Sequence, residues 1–118
     1  MVTSEPQIIL RKIYDAFNQR NPNALDELLA ENFVDYTAGP EQKPGIEGMQ
    51  QVWSRIWSKY PLIRIVVEDM FGESDKVVAR VNLVSSTPGG EQAIGRAIEM
   101  FRVVDGRAVE LWNLIDFY

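Results

Sequence analysis

The chain contains neither cysteine nor histidine. Without cysteine there can be no disulfide, no thiolate nucleophile and no thiolate metal site. Without histidine the commonest general base is missing, and with it the Ser-His-Asp triad and the ordinary zinc sites. Any acid–base chemistry falls to Asp, Glu, Tyr, Lys or Arg. No apolar run reaches the ~18 residues of a membrane-spanning helix. Met1 to Pro6 lack the basic and then apolar pattern of a secretory signal. Positive charge is scarce as well: twelve Lys and Arg stand against seventeen Asp and Glu, a net charge of −5. No basic cluster stands out, so neither nucleic acid nor a membrane surface is an expected partner, and the cytoplasm is the default location.

What is present suits one globular domain spanning residues 1–118. Hydrophobic residues make up 46% and charged residues 25%, which is ordinary for a folded domain. At this size about two-thirds of the unfolded surface can be buried, so a core forms without staples.

Helix spacing comes first. Between Glu5 and Arg20 the apolar positions are Ile8, Ile9, Ile13, Ala16 and Phe17, and Ser4 with Gln7 reads as a capping box. Asn21-Pro22 predicts the start of a second helix carrying Leu25, Leu28 and Leu29. Asn32 to Thr37 reads as a short strand. Ala38 to Pro44, with Gly39, Pro40 and Pro44, is a loop. Gly45 to Tyr60 is a third helix with a stripe of Met49, Val52, Trp53, Ile56 and Trp57, ended by Pro61. Four β-branched segments follow, Ile63 to Phe71, Lys76 to Ser86, Gln92 to Val104 and Arg107 to Phe117. Asp105-Gly106 is a strong hairpin signal between the last two.

Helices followed by antiparallel strands predict an α+β fold with helices on one face of a sheet. The strands do not alternate cleanly. Val77, Ala79, Val81 and Leu83 form one face of their strand, yet Val78 and Val84 interrupt the other. Trp112 and Leu114 do the same in the last strand. Both faces are therefore expected to be covered, one by helices and the other by a second copy in a homodimer. The alternative is an open face that tolerates some apolar residues.

Several polar residues interrupt these strands: Arg80, Asn82, Glu99, Asn113, and Asp35 with Thr37. Unpartnered burial costs about 1–3 kcal/mol per polar group and more for a charge. The group is therefore expected to converge in a sheet pocket. One reading is a structural Arg80–Glu99 ion pair completed by Asn82 and Asn113. The other is a site where a carboxyl in an apolar cavity holds or accepts a proton near neutral pH. Tyr14 on the first helix is a candidate for the same cavity, and Trp53, Trp57 and Phe101 for its wall or filling. An open cavity of at least ~300 Å³ with Glu99 facing it would favour chemistry. A cavity filled by Trp53, Trp57 and Phe101, with Glu99 fully paired, would favour the structural role.

The run Tyr14-Asp15-Ala16-Phe17-Asn18, followed by Leu25 to Asp35, resembles the opening of SnoaL-like proteins, members of the nuclear transport factor 2-like superfamily. Gly45-Ile46-Glu47-Gly48 is similar too, as are Phe101 to Arg107, Glu110-Leu111-Trp112 and Asp116. The resemblance covers nearly the whole chain. It implies three helices against a curved, mixed, mostly antiparallel sheet, forming a cone with an internal pocket, often dimeric. The superfamily includes polyketide cyclases, ketosteroid isomerases, limonene-epoxide hydrolases, dehydratases and pocket proteins.

The chain departs from each active pattern. Where the cyclases carry a histidine and an aspartate, this chain has Glu99 and Asn113. The Arg-x-Asp of the epoxide hydrolases reads Arg80-Val81-Asn82, and their water-holding Tyr and Asn are replaced by Asp35 and Thr37. The isomerase base falls on Thr37, and the protonated acid of the isomerase oxyanion hole falls on Glu99. An amide cannot take a proton from carbon or water at neutral pH.

The resulting expectation is a small-molecule pocket protein, a cofactor-free isomerase or cyclase acting on an apolar carbonyl or polyketide-like substrate. Glu99, Asp35 and Arg80 are the catalytic candidates. Tyr14, Thr37, Asn82 and Asn113 would contact ligand beside Trp53, Trp57 and Phe101. No metal is called for. A non-catalytic binding or dimeric interaction module is the alternative.

Overall fold

The computed structural model describes residues 4–118. Residues 1–3 of the segment read for a targeting signal lie outside that range. Helix α1 spans Glu5–Asn18. The capping box forms as expected: Gln7 N–H donates to the Ser4 hydroxyl at 3.4 Å, and Ser4 N–H donates to the Gln7 side chain at 3.3 Å. Ile9, Leu10, Ile13, Tyr14 and Phe17 form its buried face. The helix stops two residues before Arg20, which takes a left-handed φ of 59°. Asn21 N–H then turns back to the Ala16 carbonyl at 2.9 Å and closes the helix end. The Arg20 guanidinium donates to the carbonyls of Pro61 at 2.9 Å and Ile63 at 2.7 Å, tying this end to the first long strand.

The second helix is shorter than its leucine spacing predicts. Pro22–Ala24 form a 3-10 turn and Leu25–Leu28 a single turn of helix, α2, while Asn21 makes no side-chain cap. Leu29, expected on that helix, instead opens strand β1, Leu29–Asp35. Leu25 and Leu29 are both fully buried, and Arg107 donates to the Asp26 and Leu29 carbonyls at 2.8 and 3.2 Å. Burial and these bonds hold the chain extended from Leu29 onward, three residues earlier than the sequence pattern indicates.

Helix α3 spans Gly45–Lys59. The loop before it lies so close that a Cβ on Gly48 would sit 1.7 Å from the Lys43 carbonyl oxygen. Only glycine lets loop and helix approach this way. Among the described residues no helix is long and apolar enough to cross a membrane.

Strands β2 (Ile63–Glu73), β3 (Lys76–Thr87), β4 (Gly90–Val104) and β5 (Arg107–Phe117) complete one mixed sheet in the order β1-β5-β4-β3-β2. Only β1 runs parallel to its neighbour, β5. Asp105 and Gly106 both take positive φ, 51° and 77°, as a type I′ hairpin turn requires.

Register sorts the side chains into rows across β3, β4 and β5. Val77–Phe101–Leu111, Ala79–Glu99–Asn113 and Val81–Ala97–Ile115 face the helices. Val78–Met100–Trp112, Arg80–Ile98–Leu114 and Asn82–Arg96–Asp116 lie between them on the other face. In this chain that outer face is uncovered, with Ile98 52% and Leu114 77% exposed.

Candidate functional site

A narrow cavity of about 60 Å³ lies between the helices and the sheet. Its inner end is formed by Ile13 and Phe17 of α1, Val81 of β3 and Phe101 of β4, all deeply buried. Exposure rises toward Ile115 and Phe117 of β5, which mark the mouth. Tyr60 stacks on Phe117 there, ring centroids 5.1 Å apart.

Polar groups reach this apolar space from α1, β1, β4 and β5: Tyr14, Asp35, Glu99 and Asn113. The Tyr14 hydroxyl donates to Glu99 Oε1 at 2.9 Å. Asn113 Nδ2 lies 3.3 Å from Glu99 Oε2. Burial raises the Glu99 pKa above the ordinary glutamate range; the bonds from Tyr14 and Asn113 oppose this, and the charge of Asp35 adds to it. Burial, together with the carboxyl beside it, pushes the Tyr14 hydroxyl far up, so it stays protonated. The residue beside Glu99 on β3 is Ala79, whose small side chain leaves the carboxyl room on the sheet surface.

The string continues outward. Thr37 Oγ1 lies 3.0 Å from Asn113 Oδ1 and 2.8 Å from Asp35 Oδ1. It also accepts the Asn113 backbone N–H at 3.2 Å. Asp35 accepts from the Thr37 N–H at 2.9 Å and from Gln42 Nε2 at 3.0 Å. Asp35 borders both the inner cavity and a groove under the 38–44 loop. Among the described residues no three acidic side chains gather in a way that would hold a metal ion.

Of the sequence candidates, Tyr14, Asp35, Trp53, Glu99, Phe101 and Asn113 border the cavity. Thr37 is one bond away from it. Three others are elsewhere. Arg80 lies on the outer face, where its guanidinium pairs with Asp69 at 2.6 Å, and so makes neither a catalytic contact nor the expected pair with Glu99. Asn82 shares that face and donates to Glu68 at 2.7 Å. The reason is strand parity: both alternate with Ala79, Val81 and Leu83, which face the helices. Trp57 sits behind Phe17, 5.4 Å between ring centroids, with the Arg20 guanidinium 5.5 Å from its ring. It does not border the cavity, and its buried indole N–H has no partner among the described residues.

Gln42 was not a sequence candidate. Nothing in a loop of glycine and proline marks one amide as the partner of Asp35. The cavity wall residues Ile13, Met49 and Val81 were legible only as core.

The fold has known counterparts. A candidate polyketide cyclase from Bacillus cereus ATCC 10987 superposes with a TM-score of 0.85 at 25% identity, over 95% of this chain and 74% of that one. IdmH, a candidate polyketide cyclase from Streptomyces antibioticus, gives a TM-score of 0.79 at 26% identity, over 96% and 93%. TsrD from Streptomyces laurentii shares the fold, with a TM-score of 0.78 at 24% identity over 98% and 91%. No curated protein is similar enough in sequence to count as a match. The family model for SnoaL-like polyketide cyclases matches residues 7–118, and the chain belongs to that family.

Proposed function

We propose that this protein is a cofactor-independent acid–base enzyme, an isomerase or cyclase acting on a compact apolar carbonyl compound. The observation that carries the reading is the Glu99 carboxyl, held between Tyr14 and Asn113 at the edge of an otherwise apolar cavity. Burial disfavours the charged form of this carboxyl, and in its protonated form it can donate to a carbonyl oxygen as charge develops on it. Tyr14, also protonated, is the second donor. A substrate oxygen entering the cavity accepts from the Tyr14 hydroxyl, which donates to Glu99 in the free protein, and from the protonated Glu99 carboxyl. Asp35, on the opposite side of Asn113, is the base for a proton on the adjacent carbon. Arg80 and Asn82 have no part in this.

The free space restricts the substrate. About 60 Å³ is well below the ~300 Å³ of a cavity for a drug-sized ligand. A single ring or a slender chain is favoured over a fused polycyclic compound. The cavity does not reach the ~300 Å³ expected of a site for chemistry, and both Glu99 oxygens are already bonded; both observations favour a second reading in which the cavity binds a small molecule without transforming it, or in which the Glu99 cluster is structural.

The test uses cyclohexanone in D₂O, with EDTA and no added cofactor. The enzyme reading expects faster exchange of the protons beside the carbonyl, followed by NMR, and expects it to fall sharply in Asp35→Asn and Glu99→Gln. Binding of 4-nitrophenol, a mimic of an enolate oxygen, without any acceleration of exchange would leave only the binding role. Neither binding nor exchange would remove both.

The expected partner on the sheet is a second copy. The outer face carries an apolar centre of Met100, Trp112, Ile98 and Leu114. Arg80–Asp69 and Arg96–Asp116 lie around it, each pairing both signs. Mixed charges of this kind allow the patch to meet its own copy across a two-fold axis without like-charge repulsion.

A further inference from the structure

We propose that Phe117 is the specificity-determining residue of the cavity, a movable end wall that turns aside for the unbranched apolar tail of a carbonyl substrate. The proposal deepens the reading above and rests on it, because Tyr14 and Glu99 there hold the oxygen end.

The polar side chains that reach the cavity, Tyr14, Asp35, Glu99 and Asn113, gather around one row of the sheet, Ala79–Glu99–Asn113. The row on one side of it, Val77–Phe101–Leu111, is fully buried and closes that direction. On the other side come Val81–Ala97–Ile115 and then Leu83–Gly95–Phe117. The middle strand, β4, is therefore low, with alanine and then glycine, while β3 and β5 stand high on either side. Val52 and Ile56 of α3 line the same space. The result is a trough that leads from Glu99 to the mouth, four residues or ~13 Å along β4. Its walls are two strand spacings apart, ~10 Å between backbones, which leaves a width for one unbranched chain or a ring on edge. Beyond the Glu99 row every side chain on its floor and walls is hydrocarbon. A ligand that fills it has one polar end and an uncharged, apolar remainder.

Phe117 closes the far end. A side chain at position 95 is excluded by the Asp116 carbonyl oxygen, which would lie 2.8 Å from its Cβ. The Phe117 ring takes that place instead, with Cδ1 3.2 Å from the same point and Leu83 Cδ1 3.3 Å from it. The ring then stacks on Tyr60, centroids 5.1 Å apart and planes 11° from parallel. It thus spans the mouth from the sheet floor to the end of α3.

The backbone on both sides of this closure is fixed. Phe117 pairs with Gly95, and the next residue, Tyr118, donates its N–H to the Ile94 carbonyl at 2.9 Å. Tyr60 N–H donates to the Ile56 carbonyl at 2.8 Å, and Tyr60 accepts from the Ile63 N–H at 3.0 Å. Opening is left to the Phe117 side chain. Its neighbours in the wall are less free: Leu83 is buried, and Ile115 is β-branched and stiff at χ1. Phe117 is 36% exposed, so its ring has solvent to turn into, and a single aromatic stack is a weak restraint. The closed cavity of about 60 Å³ accepts the oxygen end and little more. Turning the ring out frees the floor over Gly95 for the tail.

The test measures binding of phenol, 4-ethylphenol, 4-butylphenol and 4-tert-butylphenol by calorimetry, the phenol oxygen standing for an enolate oxygen. In Phe117→Ala the affinity is expected to rise with tail length, by up to about fourfold per methylene. In the wild type the tail must displace the ring, so the preference for 4-butylphenol over phenol is expected to be about twofold to tenfold smaller than in the variant. Phe117→Leu, which keeps an apolar side chain but cannot stack, is expected to fall between the two. Wild-type NMR reads the gate directly: 4-butylphenol is expected to move the Phe117 and Tyr60 ring resonances, and phenol to leave the stack in place. The same length preference in wild type and both variants overturns the proposal. So does 4-butylphenol bound with the ring resonances unmoved, or 4-tert-butylphenol bound as tightly as 4-butylphenol to the wild type, whether or not a variant folds. Tyr14→Phe acts at the oxygen end and is expected to weaken phenol and 4-butylphenol by the same factor. A length preference set by Phe117 without exchange of cyclohexanone protons supports the trough and removes the catalytic reading.

Discussion

Tyr14 and Glu99 are 85 positions apart in the chain, and the tyrosine hydroxyl donates to the carboxyl at 2.9 Å. The contact joins α1 to the middle of the sheet inside the cavity. It is a bond to whichever form Glu99 takes, and it is stronger to the ionised one. Tyr14 therefore pulls the Glu99 pKa down against the upward push of burial.

Tyr14→Phe should raise the Glu99 pKa further, because it removes a donor to the carboxylate. Loss of the bond should cost about 1 kcal/mol of stability. If Tyr14 also donates to a substrate oxygen, exchange of carbonyl-adjacent protons should fall by about 10²-fold or more. Carboxyl ¹³C titration and the exchange assay read the two effects separately.

Glu99 also links stability to pH. Its folded pKa is raised, so the native state binds its proton more tightly than the unfolded chain does. The stabilisation is complete below the ordinary value of 4.5 and is lost as pH rises through the folded value. Glu99→Gln has no such proton. Urea unfolding of both proteins across pH should show the wild type losing ground to the variant as pH rises above 4.5. Constant relative stability across that window would mean that Glu99 is not held un-ionised by the fold.

Gly48→Ala is expected to be far more harmful than an ordinary helix substitution. Alanine is the better helix former by about 1 kcal/mol. Here its methyl would overlap the Lys43 backbone, 1.7 Å from the carbonyl oxygen. Loop and helix must separate, which should cost about 1–3 kcal/mol or more. The displaced segment holds Gln42, so Asp35 loses a donor. A melting temperature equal to or above the wild type would contradict this packing.

Most of the architecture was legible because periodicity and turn chemistry act locally. The Ser4–Gln7 box, the stripe of Met49 and Trp53, and the Asp105-Gly106 turn each depend on residues close in sequence. Glu99 and Asn113 could be placed by parity within their own strands, between Ala97 and Phe101 and between Leu111 and Ile115. Arg80 carried the same information, since it alternates with Ala79 and Val81, but its charge suggested a partner in the pocket. Its actual partner, Asp69, is on β2, where a register shift between Val67 and Asp69 alters the pairing. That shift has no local signature. Thr37 was a candidate beside Asp35, but β1 ends at Asp35, and the bonds of Thr37 and Gln42 depend on how the chain then folds back, which no periodicity describes. Leu29 was drawn into a helix by leucine spacing, whereas pairing with β5 held it in a strand.

Leu114→Asp tests the covered-face expectation. Leu114 is 77% exposed in the single chain and pairs in register with Ile98 of β4, so a charge there should leave the monomer's own core intact. In a dimer built on this face the same charge would be buried against its copy, without a partner, at a cost of several kcal/mol. Sedimentation equilibrium should show a wild-type dimer and a Leu114→Asp monomer, with unchanged circular dichroism. The cavity opens on the other face of the sheet, so the monomeric variant should keep its affinity for 4-nitrophenol. Loss of that affinity would mean that dimer formation shapes the site through β5, which supplies both Leu114 to the outer face and Asn113 to the cavity. A monomeric wild type would instead leave Ile98 and Leu114 as an open apolar surface needing a different occupant.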